Sequence, residues 1–139
     1  MYEFSSTRRV EFADTDMGGI MHFSRYFVFM ETAEHQLFEA IGSSVMLQHE
    51  GRQLGWPRVA ASCEYKQPAR FGDVLEIRVR VRRKGQKSMT YEFSFARAGQ
   101  EIATGRMTSV CCELDPAAGP RSIPIPGFLA ARLDEPPAV

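Results

Sequence analysis

The chain has 139 residues, with 17 basic and 17 acidic side chains and no net charge, which suits one domain with a single core and gives no global pull toward nucleic acid or an anionic membrane. No apolar run approaches the roughly 20 residues of a spanning helix, and Met1-Tyr2-Glu3-Phe4 lacks the basic start and apolar stretch of a secretory leader. Three cysteines, Cys63 and the adjacent Cys111 and Cys112, make no C-x-x-C and no even framework, so they read as packing residues of a protein in a reducing cytoplasm.

In chain order, Val10 to Ala13 reads as a short strand leading into Asp14-Thr15-Asp16-Met17-Gly18-Gly19, where the glycines permit a sharp turn. From about Phe23 to Ile41 the apolar positions Phe23, Phe27, Met30, Leu37 and Ile41 recur with helical period, Ser24 standing at the start and Gly42 at the stop. Phe23 and the run from Tyr26 to Met30 put apolar groups on nearly every side of the first half, which predicts a helix start enclosed by protein. Glu31, Glu34, His35, Gln36 and Glu39 give the second half a wet face. Residues 43–58, carrying Gly51, Gly55 and Pro57, read as a loop with one short helical turn at the edge of a site.

The rest of the chain alternates. Val59 to Gln67 reads as a strand ended by Pro68, and Phe71-Gly72-Asp73 as a turn. In Val74 to Arg83, Ile77, Val79 and Val81 oppose Arg78, Arg80 and Arg82, the pattern of a half-buried antiparallel strand. Lys84 to Lys87 turns it back into a strand alternating through Met89, Tyr91, Phe93 and Phe95. A turn at Ala98-Gly99-Gln100 leads to a last strand from Glu101 to Leu114. Four strands after one long helix predict an α+β chain whose antiparallel sheet curls around that helix. After Asp115-Pro116 and Gly119-Pro120, residues 122–133 are expected to lie peripherally on the surface and 134–139 to fray.

Two features carry chemistry. A carboxylate just before the N-terminus of a buried helix sits beside free N–H groups that can stabilise an oxyanion, which is what acyl transfer needs. Asp14 and Asp16 equally fit the simpler role of turn or helix caps. The second feature is the hairpin, where Arg78, Arg80, Arg82, Arg83, Lys84 and Lys87 place six positive charges in ten residues. That run suits phosphate, or a solvated face balanced by Glu76 and Glu92; aromatic platforms for single-stranded nucleic acid are missing from the arginine face.

Residues 12–26, F-A-D-T-D-M-G-G-I-M-H-F-S-R-Y, followed by Pro68-Ala69-Arg70-Phe71-Gly72-Asp73, resemble the hotdog-fold acyl-CoA thioesterases of the hydroxybenzoyl-CoA thioesterase type, over roughly residues 5–114. The resemblance implies the hotdog fold, a curled antiparallel sheet wrapped around one long central helix. It implies hydrolysis of an acyl-CoA thioester to free acid and CoA, without metal or other cofactor. Asp16 would be the nucleophile or general base, and the backbone N–H of His22 or Phe23 would face the oxyanion. Gly19, Tyr26 and Glu31 would line the substrate, and Arg82, Arg83, Lys84 and Lys87 would meet the CoA phosphates. A homodimer or a dimer of dimers would build each site from two chains.

His22 departs from the family pattern, which often has an aromatic residue there and a His where this chain has Phe23. Glu31 stands where another hotdog group places a helical catalytic acid, and with His35 it forms an i, i+4 pair lacking a third metal ligand. A non-catalytic acyl-CoA or small-ligand binding protein, and a thioesterase acting on acyl-carrier protein, fit the same residues. A hydratase motif and the G-x-S-x-G of a serine hydrolase are missing. The sequence leaves the acyl group open among aromatic, short and long chains.

Overall fold

A computed structural model describes residues 2–134. The core elements are β1 (Glu3–Arg9), helix α1 (Arg25–Ala40), β2 (Gln48–His49), β3 (Arg52–Gly55), β4 (Arg58–Tyr65), β5 (Val74–Lys84), β6 (Ser88–Arg97) and β7 (Gln100–Val110). A short hairpin, β8 (Cys112–Asp115) and β9 (Gly119–Ser122), and helix α2 (Gly127–Asp134) follow. The large sheet has the order β1-β5-β6-β7-β4, antiparallel throughout, and a smaller sheet has the order β2-β3-β8-β9.

Period-2 patterning makes the large sheet one-sided. Leu75, Ile77, Val79 and Val81 of β5 and Met89, Tyr91, Phe93 and Phe95 of β6 are buried, while Arg78, Arg80 and Arg82 face out. Against this floor α1 lays Tyr26, Phe29, Met30, Ala33, Leu37 and Phe38, spaced as one face of a 3.6-residue helix. Each full burial of a Leu or Phe side chain contributes about 1.5–3 kcal/mol. The approach is close: a Cβ at Gly105 would stand 2.4 Å from Met30 Cε. The helix ends in a Schellman motif, with Gly42 at φ +78°, its N–H on Glu39 O and the Ser43 N–H on Phe38 O.

Several elements differ from the sequence expectation. Val10 to Ala13 is not a strand; β1 precedes it, and Phe12–Asp14 forms a 3-10 turn. The strand is hidden in the sequence because Arg8 does an apolar residue's work, its guanidinium lying 4.1 Å over the Phe29 ring and donating to Thr32 Oγ1 at 2.8 Å. Residues 43–58 contain the β2–β3 hairpin instead of a helical turn, since Glu50 and Gly51 both adopt positive φ. The last long strand stops at Val110, and the chain crosses at Cys111 into the small sheet. The segment expected on the surface is a core element, because Ile125, Leu129 and Leu133 are buried. Of the end expected to fray, Asp134 closes α2 and residues 135–139 lie outside the described residues.

The enclosed helix start is also not realised within one chain. Phe23 is 63% exposed and Val28 37% exposed. Conversely Glu34, expected on the wet face, is fully buried and takes a two-pronged ion pair from Arg58, at 2.9 and 2.6 Å. Burial pushes the Glu34 pKa up, and the Arg58 guanidinium opposes it. Removing one partner strands a buried charge, whereas removing both does not. Arg58→Met is therefore expected to cost about 3–5 kcal/mol in urea unfolding, and the double variant Glu34→Leu/Arg58→Met to recover most of it.

Candidate active site

The two acids of the D-x-D run have different surroundings. Asp14 closes the 3-10 turn, its Oδ2 accepting the Glu11 N–H at 2.8 Å while its own N–H donates to Glu11 O. Its Oδ1 accepts both Arg25 Nε at 2.8 Å and Arg25 Nη2 at 2.7 Å. Asp14 is buried, and both of its oxygens are engaged by the fold. Asp16 is exposed on a tight loop, closed by Asp16 N–H to Ile20 O and Gly19 N–H to Asp16 O, each at 3.0 Å. Gly19 sits at φ +76°. Asp16 Oδ1 accepts the Gly18 N–H at 2.8 Å, and its Oδ2 has no hydrogen-bond partner among the described residues.

The helix start beside this loop is held from three sides. His22 N–H donates to Asp14 O at 2.8 Å and Met21 N–H to Ala69 O at 2.7 Å. Ser24, at the cap position, makes no side-chain cap bond; its hydroxyl lies 2.7 Å from His22 Nδ1 and its N–H donates to the same nitrogen at 3.3 Å. The His22 ring stacks on the Phe23 ring, with centroids 4.5 Å apart. Of the two backbone donors named for an oxyanion, His22 N–H is thus committed to Asp14, while Phe23 N–H has no acceptor among the described residues.

The second motif is the loop's scaffold. Asp73 Oδ2 accepts the Arg70 N–H at 2.8 Å and Arg97 at 2.9 Å, and Gly72 N–H donates to Val10 O at 2.9 Å. Partial burial works against the Asp73 carboxylate, but the Arg70 N–H and the Arg97 guanidinium outweigh it and hold its pKa below the ordinary value.

The structure gathers Asp16, Gly19, His22, Phe23 and Tyr26 at one end of the sheet. Tyr26 is buried, edge-on to Tyr65 at 4.9 Å and to Phe95 at 5.4 Å, so it shapes the wall rather than presenting its hydroxyl. Glu31 lies farther along α1, exposed, with Arg58 at 3.7 Å. Arg82, Arg83, Lys84 and Lys87 are at or just beyond the opposite end of β5, about 30 Å away at ~3.3 Å per residue. Arg82 pairs with Glu92 at 3.0 Å, which also meets Arg80 at 2.5 Å and Arg106 at 3.4 Å. Lys84 pairs with Asp134 and donates to Ala130 O at 2.9 Å. Arg83 and Lys87 are exposed and have no acidic partner among the described residues.

Two residues that sequence reasoning left aside matter here. Arg25 separates the roles of the two acids, and Tyr65 donates its hydroxyl to Phe23 O at 2.9 Å. Tyr65 looks in sequence like one more alternating strand residue; only the tertiary contact singles it out.

Residues 10–133 match the thioesterase-like superfamily. The chain belongs to that superfamily. The match takes in the D-x-D loop, the helix start and the second motif, and the fold is the hotdog fold of these thioester hydrolases. A 1,4-dihydroxy-2-naphthoyl-CoA hydrolase of Synechococcus elongatus is 25% identical over 114 residues, covering 81% of this chain and 84% of that protein. An acyl-CoA thioesterase of Haemophilus influenzae is 24% identical, over 86% and 90% of the two chains. The solved structure of a gentisyl-coenzyme A thioesterase superposes with a TM-score of 0.83 at 28% identity, over 94% of this chain and 99% of that one.

The split between the acids predicts opposite phenotypes. Asp14→Asn should lower stability by about 1.5–3 kcal/mol, the value of hydrogen bonds to a charged group, whereas Asp16→Asn should leave the urea midpoint unchanged. The depressed Asp73 carboxyl adds stability that is fully present above its unfolded value of about 3.9 and is lost as pH falls through the lower folded value. An acid titration of stability should accordingly fall less steeply below about pH 4 in Asp73→Asn than in the parent chain.

Proposed function

We propose that this superfamily member hydrolyses acyl-CoA thioesters, with Asp16 as the reacting carboxylate. The observation that carries the reading is the division of labour in the loop: Asp14 is consumed by Arg25 and the 3-10 turn, while Asp16 keeps one oxygen free at the start of the central helix. Asp16 removes a proton from water as the water oxygen attacks the thioester carbonyl, or attacks that carbon itself. The negative charge on the carbonyl oxygen is met by the Phe23 N–H and the positive end of α1. The C–S bond then breaks, and CoA leaves as thiolate and takes up a proton; where Asp16 is the nucleophile, water hydrolyses the acyl–aspartyl anhydride so formed, releasing the free acid and the Asp16 carboxylate. His22, tied to Ser24 through Nδ1, orients the helix start.

An aromatic acyl group suits the site. The stacked His22 and Phe23 rings, both beside the loop, offer an aromatic surface, and similar proteins carry names specifying dihydroxynaphthoyl-CoA and gentisyl-CoA. A panel of aromatic, short-chain and long-chain acyl-CoAs in a thiol-release assay is expected to give the highest kcat/KM for the aromatic members. Asp16→Asn is expected to lower turnover by at least about 100-fold. Parent-like turnover by that variant would remove Asp16 from the mechanism, and a flat panel would remove the aromatic preference.

The functional unit we infer is at least a homodimer. β4 is an edge strand with Val59, Ala60, Ala61 and Ser62 exposed, and the apolar Phe23 just before α1 and Val28 within it are exposed as well. The basic hairpin is too far along the same sheet for one CoA to bridge it to Asp16. Pairing two β4 edges antiparallel about a two-fold axis brings the hairpin end of one sheet beside the site end of the other. The partner's Arg83 and Lys87 then bind the phosphates of CoA held at this chain's Asp16. Mixing Asp16→Asn chains with Arg83→Glu/Lys87→Glu chains should restore turnover, because one site of each mixed dimer has both parts intact. If a single chain supplied both parts, mixing would restore nothing.

A further inference from the structure

The start of α1 closes tightly, with Phe27 N–H donating to Ser24 O at 3.2 Å, an i to i−3 bond. That closure leaves the Phe23 carbonyl without a helical donor. Tyr65 supplies one across 42 residues of sequence, its hydroxyl 2.9 Å from Phe23 O. Tyr65 is the last residue of β4, so the bond joins the edge of the sheet to the first turn of the central helix. Its ring is itself held, edge-on to Tyr26, which stands edge-on to Phe95 in the core.

This chain of contacts ends on Phe23, whose N–H has no acceptor among the described residues. Rings fix the hydroxyl, the hydroxyl fixes the Phe23 carbonyl, and the carbonyl fixes the Phe23–Ser24 peptide and with it ψ of Phe23. We propose that Tyr65 is a positioning residue for thioester hydrolysis: by fixing ψ of Phe23 it holds the Phe23–Ser24 peptide against the preceding His22–Phe23 peptide, whose carbonyl takes the Arg25 N–H at 3.0 Å and whose N–H faces the thioester oxygen. The inference rests on the proposed role of Phe23 as oxyanion donor. Tyr65 donates its proton without transferring it: burial first, then the neighbouring Cys63, push the phenol up to about 12, so the donor persists through the neutral range.

Tyr65→Phe deletes one oxygen and keeps the ring pair. Loss of an oxyanion donor costs on the order of 100- to 1000-fold, and a misplacement near 1 Å about 100-fold. With aromatic acyl-CoA, Tyr65→Phe is therefore expected to lower kcat by roughly 10- to 100-fold, with little change in KM, thermal midpoint or the shape of the pH–rate profile. Parent-like kcat overturns the inference. So does a rise in KM without a fall in kcat, which would place Tyr65 on the substrate, or loss of the alkaline limb, which would make it a proton donor. Amide exchange gives a readout independent of activity: the Ser24 N–H, which shares its peptide with the Phe23 carbonyl and donates to His22 Nδ1, should exchange faster in Tyr65→Phe while the rest of α1 is unaltered, and an unchanged rate overturns the proposal. The parent chain and Asp16→Asn run in parallel keep the two readings apart. A parent chain without turnover fells the hydrolase reading and this inference with it, whereas an active parent beside a parent-like Tyr65→Phe fells only the inference.

Discussion

The ion pair between Asp14 and Arg25 ties the loop after β1 to the first residue of α1. Asp14 also closes the 3-10 turn through Glu11 and, through its carbonyl, anchors His22. One buried acid thereby sets the direction from which the chain enters the helix. With that direction fixed, Asp16 stays exposed on its tight loop, and the Phe23 N–H has no acceptor among the described residues. A charge taken out of water needs a partner of this quality, and a charge so paired is unsuited to chemistry. The acid proposed to react is the one the fold does not use.

Around that tie the structure separates binding from support. The second motif, from Pro68 to Asp73, touches the site only through backbone: Ala69 O holds Met21, and Asp73 holds its own turn and Arg97. Its acid resembles a functional residue in sequence and acts as a brace in the fold. The basic hairpin divides in the same way. Glu92 draws in Arg80, Arg82 and Arg106, and α2 engages Lys84, which leaves Arg83 and Lys87 as the hairpin cations suited to an external phosphate.

The single chain leaves apolar surface where a thioesterase site needs enclosure. Phe23 ahead of α1, Val28 within it, and the row from Val59 to Ser62 on the β4 edge are left uncovered in one protomer. The enclosed helix start read from the sequence and the half-exposed one in the chain would agree only in the proposed dimer, with a second copy on that edge. In the proposed dimer the same placement shortens the distance between Asp16 and the hairpin cations Arg83 and Lys87.

Local periodicity made much of this protein legible in its sequence. The alternation in β5 and β6, the helical recurrence through Met30 and Leu37, the Gly42 stop and the two-glycine loop all record which side of an element faces the core, and that information is written within a few residues. The D-x-D run likewise pointed to the site and to the thioesterase family. Periodicity misled where a polar residue served the core: Arg8 over Phe29 hid β1, and Glu34 seemed solvated until Arg58 reached it. Tertiary structure alone decided which acid is free, which helix-start N–H is unpaired, that Tyr65 holds Phe23, and that the cations lie at the far end of the sheet. Each of these depends on a hydrogen bond or a distance between segments remote in sequence, and no pattern of neighbouring residues encodes which partner a side chain will meet.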